Sequence, residues 1–153
     1  NKRIFFITSG SKGKIIVPSL IANFPDTFKP EYWIYVFCAN MKMISTTNDD
    51  VLTNTWAIDF VENVLMFDHQ DDLLARMVME AGSYFFEHAS SLQEARVLIG
   101  AYNYYRWSKK MYERYQKMET KKLTDKIAKI DNCIQQIKTL IDEQDKRVGQ
   151  PTS

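Results

Sequence analysis

The chain has 153 residues, 45% hydrophobic, 25% charged and 13% aromatic, with a formal net charge of +1. That length suits one domain or one domain with an extension, and the composition excludes a largely disordered chain, a collagen repeat and a disulfide scaffold. The small net charge conceals a segregation. Residues 48–95 carry ten acids against Arg76, a net −9, residues 106–129 carry nine bases against three acids, +6, and residues 1–47 add +4.

Punctuation is equally uneven. Three of the four prolines fall in the first 30 residues, and none occurs between Pro30 and Pro151. A β-rich fold over such a stretch would need many turns, and turns use Gly, Pro, Asn and Asp. The expected fold class is therefore mainly α: a helical bundle preceded by a short β-hairpin, with a long C-terminal helix of coiled-coil character. The expected division is a hairpin segment over 1–17, a helical bundle over 18–118, a coiled-coil-like helix over 119–148 and a disordered tail over 149–153.

In chain order, Lys2–Thr8 and Lys14–Val17 are β-branched and aromatic runs flanking Ser9-Gly-Ser-Lys-Gly13, which reads as a hairpin loop. Pro18 suits the first turn of a short helix over Ser19–Phe24. Glu31–Ile44 is open between two readings. Pro30 followed by Glu31 favours a helix start, whereas Tyr-Trp-Ile-Tyr-Val-Phe favours a buried strand, and the helix is preferred. Asn48-Asp49-Asp50 then caps a helix over Val51–Phe67 that is apolar on most sides. Asp68–Asp72 forms an acidic turn that starts a helix over Leu73–His88. Ser90 with Gln93, and Ser91 with Glu94, form overlapping capping boxes for the next helix.

From Leu92 to Val148 nothing stops a helix, yet 57 residues would span roughly 85 Å at 1.5 Å per residue, too long for a domain of this size. The break is expected at Thr120–Thr124. Beyond it, Leu123, Ile127, Ile130, Ile134, Ile137 and Ile141 alternate by four and three, a heptad stripe. That stripe either folds back on its own domain or forms an intermolecular seam. The intermolecular seam is preferred, and isoleucine at both a and d points to three or more strands.

Few residues offer chemistry. Cys38 and Cys133 are the only cysteines and make no Cys/His cluster, so no structural zinc site is expected. Asp68-His69-Gln-Asp71-Asp72 lacks a further ligand and reads as a helix cap. Glu87-His88 reads as a helix end, where an imidazolium suits the dipole. Glu62, Glu80 and Glu87 lack the Glu-x-x-His pair of a di-iron bundle. Ser9–Lys14 fails the phosphate-loop pattern, with Thr8 in place of the first Gly and Ile15 in place of the magnesium-binding Ser/Thr. No metal, no cofactor and no catalytic activity are expected.

The remaining signal is a basic stripe interleaved with rings: Arg106, Lys109, Lys110, Arg114, Lys117, Lys121 and Lys122 lie among Tyr102, Tyr104, Tyr105, Trp107, Tyr112 and Tyr115. Helical spacing puts most of the rings on a core side and the bases on another. The expected function is a non-catalytic protein-interaction and assembly module that oligomerises or docks a protein partner through the isoleucine stripe. The alternative is a module that binds nucleic acid or an acidic filament, such as a cytoskeletal polymer, through the basic–aromatic helix 102–129. The absence of an Asn-X-Ser/Thr acceptor and of a long apolar run favours a cytoplasmic or nuclear setting without a membrane. A start at Asn1 without a signal-peptide pattern reads as a piece of a longer protein.

Overall fold

A computed structural model of the protein describes residues 4–28, 34–39, 55–119 and 122–148. It is mainly helical, with four α-helices and a short strand region ahead of the long ones. Contacts divide the chain into two compact units, residues 1–74 and 75–153.

The first unit is a small α/β arrangement. β1 (Phe6–Ser9), β2 (Ile34–Phe37) and β3 (Val64–Phe67) form a three-stranded sheet in the order β1-β2-β3. Both pairings are parallel, with Phe6 opposite Ile34 and Ile34 opposite Val64. Parallel strands cannot be joined by a tight turn. The expected hairpin is accordingly replaced: Lys14–Val17 belongs to α1 (Gly10–Asn23), which follows β1 directly. Ser9 is the N-cap of α1, its hydroxyl accepting from the Lys12 amide at 3.4 Å. Gly13 is there for closeness: a Cβ would come within 2.9 Å of the Trp56 indole. Pro18 lies inside α1, so the short helix expected over Ser19–Phe24 starts nine residues earlier, at Gly10.

Two further expectations change in this unit. Residues 34–37 of the ambiguous segment are strand, and residues 31–33 and 40–44 lie outside the described chain. β2 is the middle strand and buried on both faces, which is why its run is continuously apolar. The helix expected over Val51–Phe67 is instead a 3-10 helix, Thr55–Phe60, followed by β3; its expected cap at 48–50 lies outside the described residues. Phe6, Ile34, Val36, Val64 and Met66 share one sheet face and pack with Val17, Leu20 and Ile21 of α1. On the other face the Tyr35 ring lies between Phe5 and Phe67, at 6.0 and 6.2 Å.

The second unit is built on antiparallel helices. α2 (Gln70–Glu94) begins at the acidic turn as expected, with Asp71 and Asp72 in its first turn, where carboxylates suit the helix dipole. It runs past His88, so Ser90 and Ser91 do not cap a new helix. Their hydroxyls donate back to the carbonyls of Phe86 and Glu87 at 3.1 and 3.2 Å. The real stop is a Schellman turn: Val97 N–H donates to Leu92 C=O at 2.8 Å and Arg96 N–H to Gln93 C=O at 3.0 Å. Arg96 takes the left-handed position at φ 60°, where glycine is the usual residue.

α3 (Leu98–Met118) therefore starts six residues later than expected. The break before α4 (Thr124–Val148) falls where expected, with residues 120 and 121 outside the described chain. Hydrogen bonds fix the α2–α3 approach: Ser108 Oγ donates to the Gly82 carbonyl at 2.8 Å, and Ser83 Oγ lies 2.9 Å from the Tyr112 hydroxyl. A side chain at Gly82 would meet Met111 and Tyr112 at 3.2 Å. Tyr105 Oη donates to Gln93 Oε1 at 2.8 Å. Between α3 and α4, Lys109 Nζ donates to the Asp131 carboxylate at 2.6 and 2.9 Å.

The core of this unit joins Ala89 of α2, Leu98, Ala101, Tyr105 and Tyr112 of α3, and Ile130, Ile134 and Ile137 of α4. Two of its tyrosines are almost fully enclosed, and each keeps a hydroxyl partner, as burial of a phenol demands. The 149–153 tail lies outside the described residues.

Candidate partner-docking surface

The isoleucine stripe is spent inside the chain. Ile130 and Ile137 are 0% exposed and Ile134 is buried beside them, while Leu123, Ile127 and Ile141 are half-buried against the same core. Their neighbours are Tyr105, Tyr112, Leu98 and Ala101, so a heptad spacing that fits a second chain is met by the chain's own α3. Burying each such side chain contributes about 2 kcal/mol, which accounts for the stripe without a partner.

The basic stripe divides. Arg106 lies over the Tyr102 ring at 5.5 Å, Lys126 over Tyr112 at 4.7 Å and Lys129 over Phe86 at 5.4 Å. Lys109 is held by Asp131 and lies 3.8 Å from Glu113. The hydrogen bond from Asp131, reinforced by both carboxylates, raises the Lys109 pKa above its ordinary value. Lys110, Arg114, Lys117 and Lys122 are exposed, and the first three have no ion pair or ring contact among the described residues. Lys121 lies outside them. Part of the stripe thus braces the α3–α4 packing, and part faces solvent.

What faces solvent beside those cations is apolar. Ile99 is 69% exposed, Trp107 45% and Met118 38%. At 100° per residue, Trp107, Arg114 and Met118 fall within about 40° of one another on α3, with Lys110 and Lys117 flanking them. Ile99 lies two turns before Trp107, so the stripe runs for about 28 Å along the helix. Trp107 is supported from below: its ring lies 4.9 Å from Tyr104 and 5.8 Å from Phe85, and Tyr104 meets His88 edge-on at 4.4 Å. The rings expected to be core are therefore split, with Tyr104 half-buried and Trp107 at the surface.

His88 is not at a helix end, because α2 continues to Glu94. It joins the aromatic cluster, stacked on Tyr84 at 6.0 Å. Ser9–Lys14 supplies the N-cap and first turn of α1. Among the described residues no cluster of three His, Cys, Asp or Glu side chains could hold a metal ion, and no helix is long and apolar enough to cross a membrane. Burial pushes the Tyr105 phenol above its ordinary pKa, with the Ser90 hydroxyl opposing that rise.

Sequence reasoning missed the exposed line Ile99–Trp107–Met118. Its signal is present: those three residues sit on the side of the α3 wheel that carries Asn103, Lys110 and Arg114, opposite Ala101, Tyr105, Ser108 and Tyr112. A comparison of the chain with known protein families, curated proteins and solved structures finds no match in any of the three.

Proposed function

We propose that the chain is a non-catalytic protein-interaction and assembly module of a larger cytoplasmic or nuclear protein, docking its partner on the solvent face of α3. The observation that carries this reading is Trp107, nearly half exposed on a scaffold of packed rings and flanked by Lys110 and Arg114. Tryptophan and arginine dominate the energetics of protein interfaces, and a ring already held by neighbours loses little freedom on docking. The driving force is removal of Ile99, Trp107 and Met118 from water at about 25 cal/mol per Å² of apolar area. The cations set orientation and encounter rate. The docking role expected of the isoleucine stripe passes to α3, because the isoleucines are already covered.

The test is a photo-crosslinking residue placed at Trp107, at Ile99 and, as a control, at the exposed Asn132 of α4, in the full-length parent expressed in its own cells. The reading predicts a discrete crosslinked polypeptide from the two α3 positions and none from the control. Equal labelling from all three, or none, contradicts it.

A second reading rests on Lys110, Arg114 and Lys117 being solvent-facing and in line: a polyanion could meet them through its phosphates, as a nucleic acid would. It predicts tight retention of single-stranded oligonucleotide at ~50 mM salt that falls steeply as salt rises. Protein docking is favoured because only one ring of the cluster is freely exposed, whereas single-strand readers offer successive rings to successive bases.

A further inference from the structure

The α3 stripe has a complement elsewhere in the same sequence. After the 3-10 helix, the Val61 amide donates to the Ile58 carbonyl at 3.4 Å and the Asn63 amide to the Phe60 carbonyl at 2.9 Å, so the three-residue turn continues to residue 63. In that geometry residues three apart share a side. Ile58 and Val61 fall on one side and Asp59 and Glu62 on the next. Ile58 is 66% exposed and Val61 67%. Asp59 and Glu62 are exposed too, with no ion pair among the described residues. Single exposed apolar residues need no explanation, but two adjacent ones flanked by two unpaired acids form a small amphipathic knob.

Charge and polarity match across the two surfaces. One offers Ile99 and Trp107 with Lys110 and Arg114; the other offers Ile58 and Val61 with Asp59 and Glu62. Resting on the docking role of α3, we propose that the occupant of its solvent face is the 58–62 knob of a second copy of this chain. Ile58 and Val61 cover Trp107, and Asp59 and Glu62 meet Lys110 and Arg114 one and two turns further along α3. Each copy carries both surfaces, so the contact either closes reciprocally between two copies or continues from copy to copy. The patches are smaller than the ~800 Å² per partner of a standard stable interface, so each contact is weak and the assembly depends on concentration.

The experiment is analytical ultracentrifugation of the 153-residue chain across a concentration series, using charge-swapped pairs. The wild type shows a weight-average mass that rises with concentration and falls back as salt increases. K110E with R114E puts acids on both surfaces and stays monomeric, as does D59K with E62K, which puts bases on both. Mixed in equal amounts the two variants assemble again, because each knob then meets an oppositely charged stripe. All four changes are at exposed positions, and unchanged circular dichroism and melting temperature confirm that the variants fold. A wild type that remains monomeric overturns the proposal, as do variants that assemble alone or a mixture that does not recover. The docking reading fails separately: a monomeric chain that still crosslinks a different polypeptide through Trp107 keeps that reading and removes self-assembly. Binding of a single-stranded oligouridylate without any rise in protein mass removes both.

Discussion

Two amphipathic stripes lie on neighbouring helices and do opposite things. The stripe on α4 is regular and aliphatic, and it disappears into the core, with Ile130 and Ile137 fully buried. The stripe on α3 is irregular, mixing Ile99, Trp107 and Met118 with Lys110, Arg114 and Lys117, and it stays in water. Regular spacing marks a surface that packs, and here what it packs against is α3 of the same chain. Among the described residues the irregular stripe has no such cover, and it combines the residue types that protein interfaces concentrate.

The sharpest break of that contrast is in the core. Ile137→Ala is expected to cost about 2–5 kcal/mol through lost transfer energy and the cavity left beside Tyr105 and Ile134. Urea titration measures it, and a cost under about 1 kcal/mol would mean that α4 does not rely on α3. Gly82→Ala is expected to cost about 1 kcal/mol net, because the added methyl crowds the Met111 Cβ and the Tyr112 ring at 3.2 Å, and that crowding outweighs the helix propensity that alanine gains over glycine. The melting temperature should fall accordingly.

Arg96→Gly works in the other direction. It frees the left-handed Schellman position from Cβ strain and is expected to stabilise by about 1 kcal/mol. An unchanged or lower melting temperature would show that the Arg96 side chain contributes more than its backbone costs.

The smallest effect is on pH dependence. Tyr105 has a raised pKa from burial, and Lys109 a raised pKa from its hydrogen bond to Asp131. For both groups the unfolded chain releases its proton first. Their stabilisation is therefore fully present below about pH 10, the ordinary range of these groups, and is lost as pH climbs through the raised values. Tyr105→Phe should flatten the alkaline part of the stability profile, and Lys109→Met should flatten it less, since that pair is partly solvated. A wild-type profile that stays level to pH 11 would contradict both assignments.

The local signals that depend on neighbours in sequence were legible. Asp71 and Asp72 announce the start of α2, and the Thr120–Thr124 weak point separates α3 from α4. Signals settled by distant partners were not. Phe6–Ser9 looks like half of a hairpin until Ile34–Phe37 pairs with it in parallel, and Ile34–Phe37 looks helical until strands on both sides enclose it. Ser90 and Ser91 satisfy a capping pattern, yet α2 continues because Phe86, Ala89 and Leu92 still have core to cover. The heptad in α4 identified a buried face and was silent about whose surface buries it. The exposed face of α3 was hidden for a related reason: Trp107 sits at core-like spacing from Tyr104 and Met111, and only the packing of Phe85 and Tyr104 beneath it shows that it stops at the surface.

The central claim is that α3 docks and the α4 stripe does not. Hydroxyl-radical footprinting of the isolated chain at low concentration, compared with the protein inside its own cells, tests this most directly. The account predicts that Trp107 and Met118 are oxidised in the dilute chain and protected in the cell, while Ile130, Ile134 and Ile137 are protected in both. Isoleucines that react in the dilute chain and become protected in the cell, with Trp107 unchanged, would contradict it and return the docking role to α4.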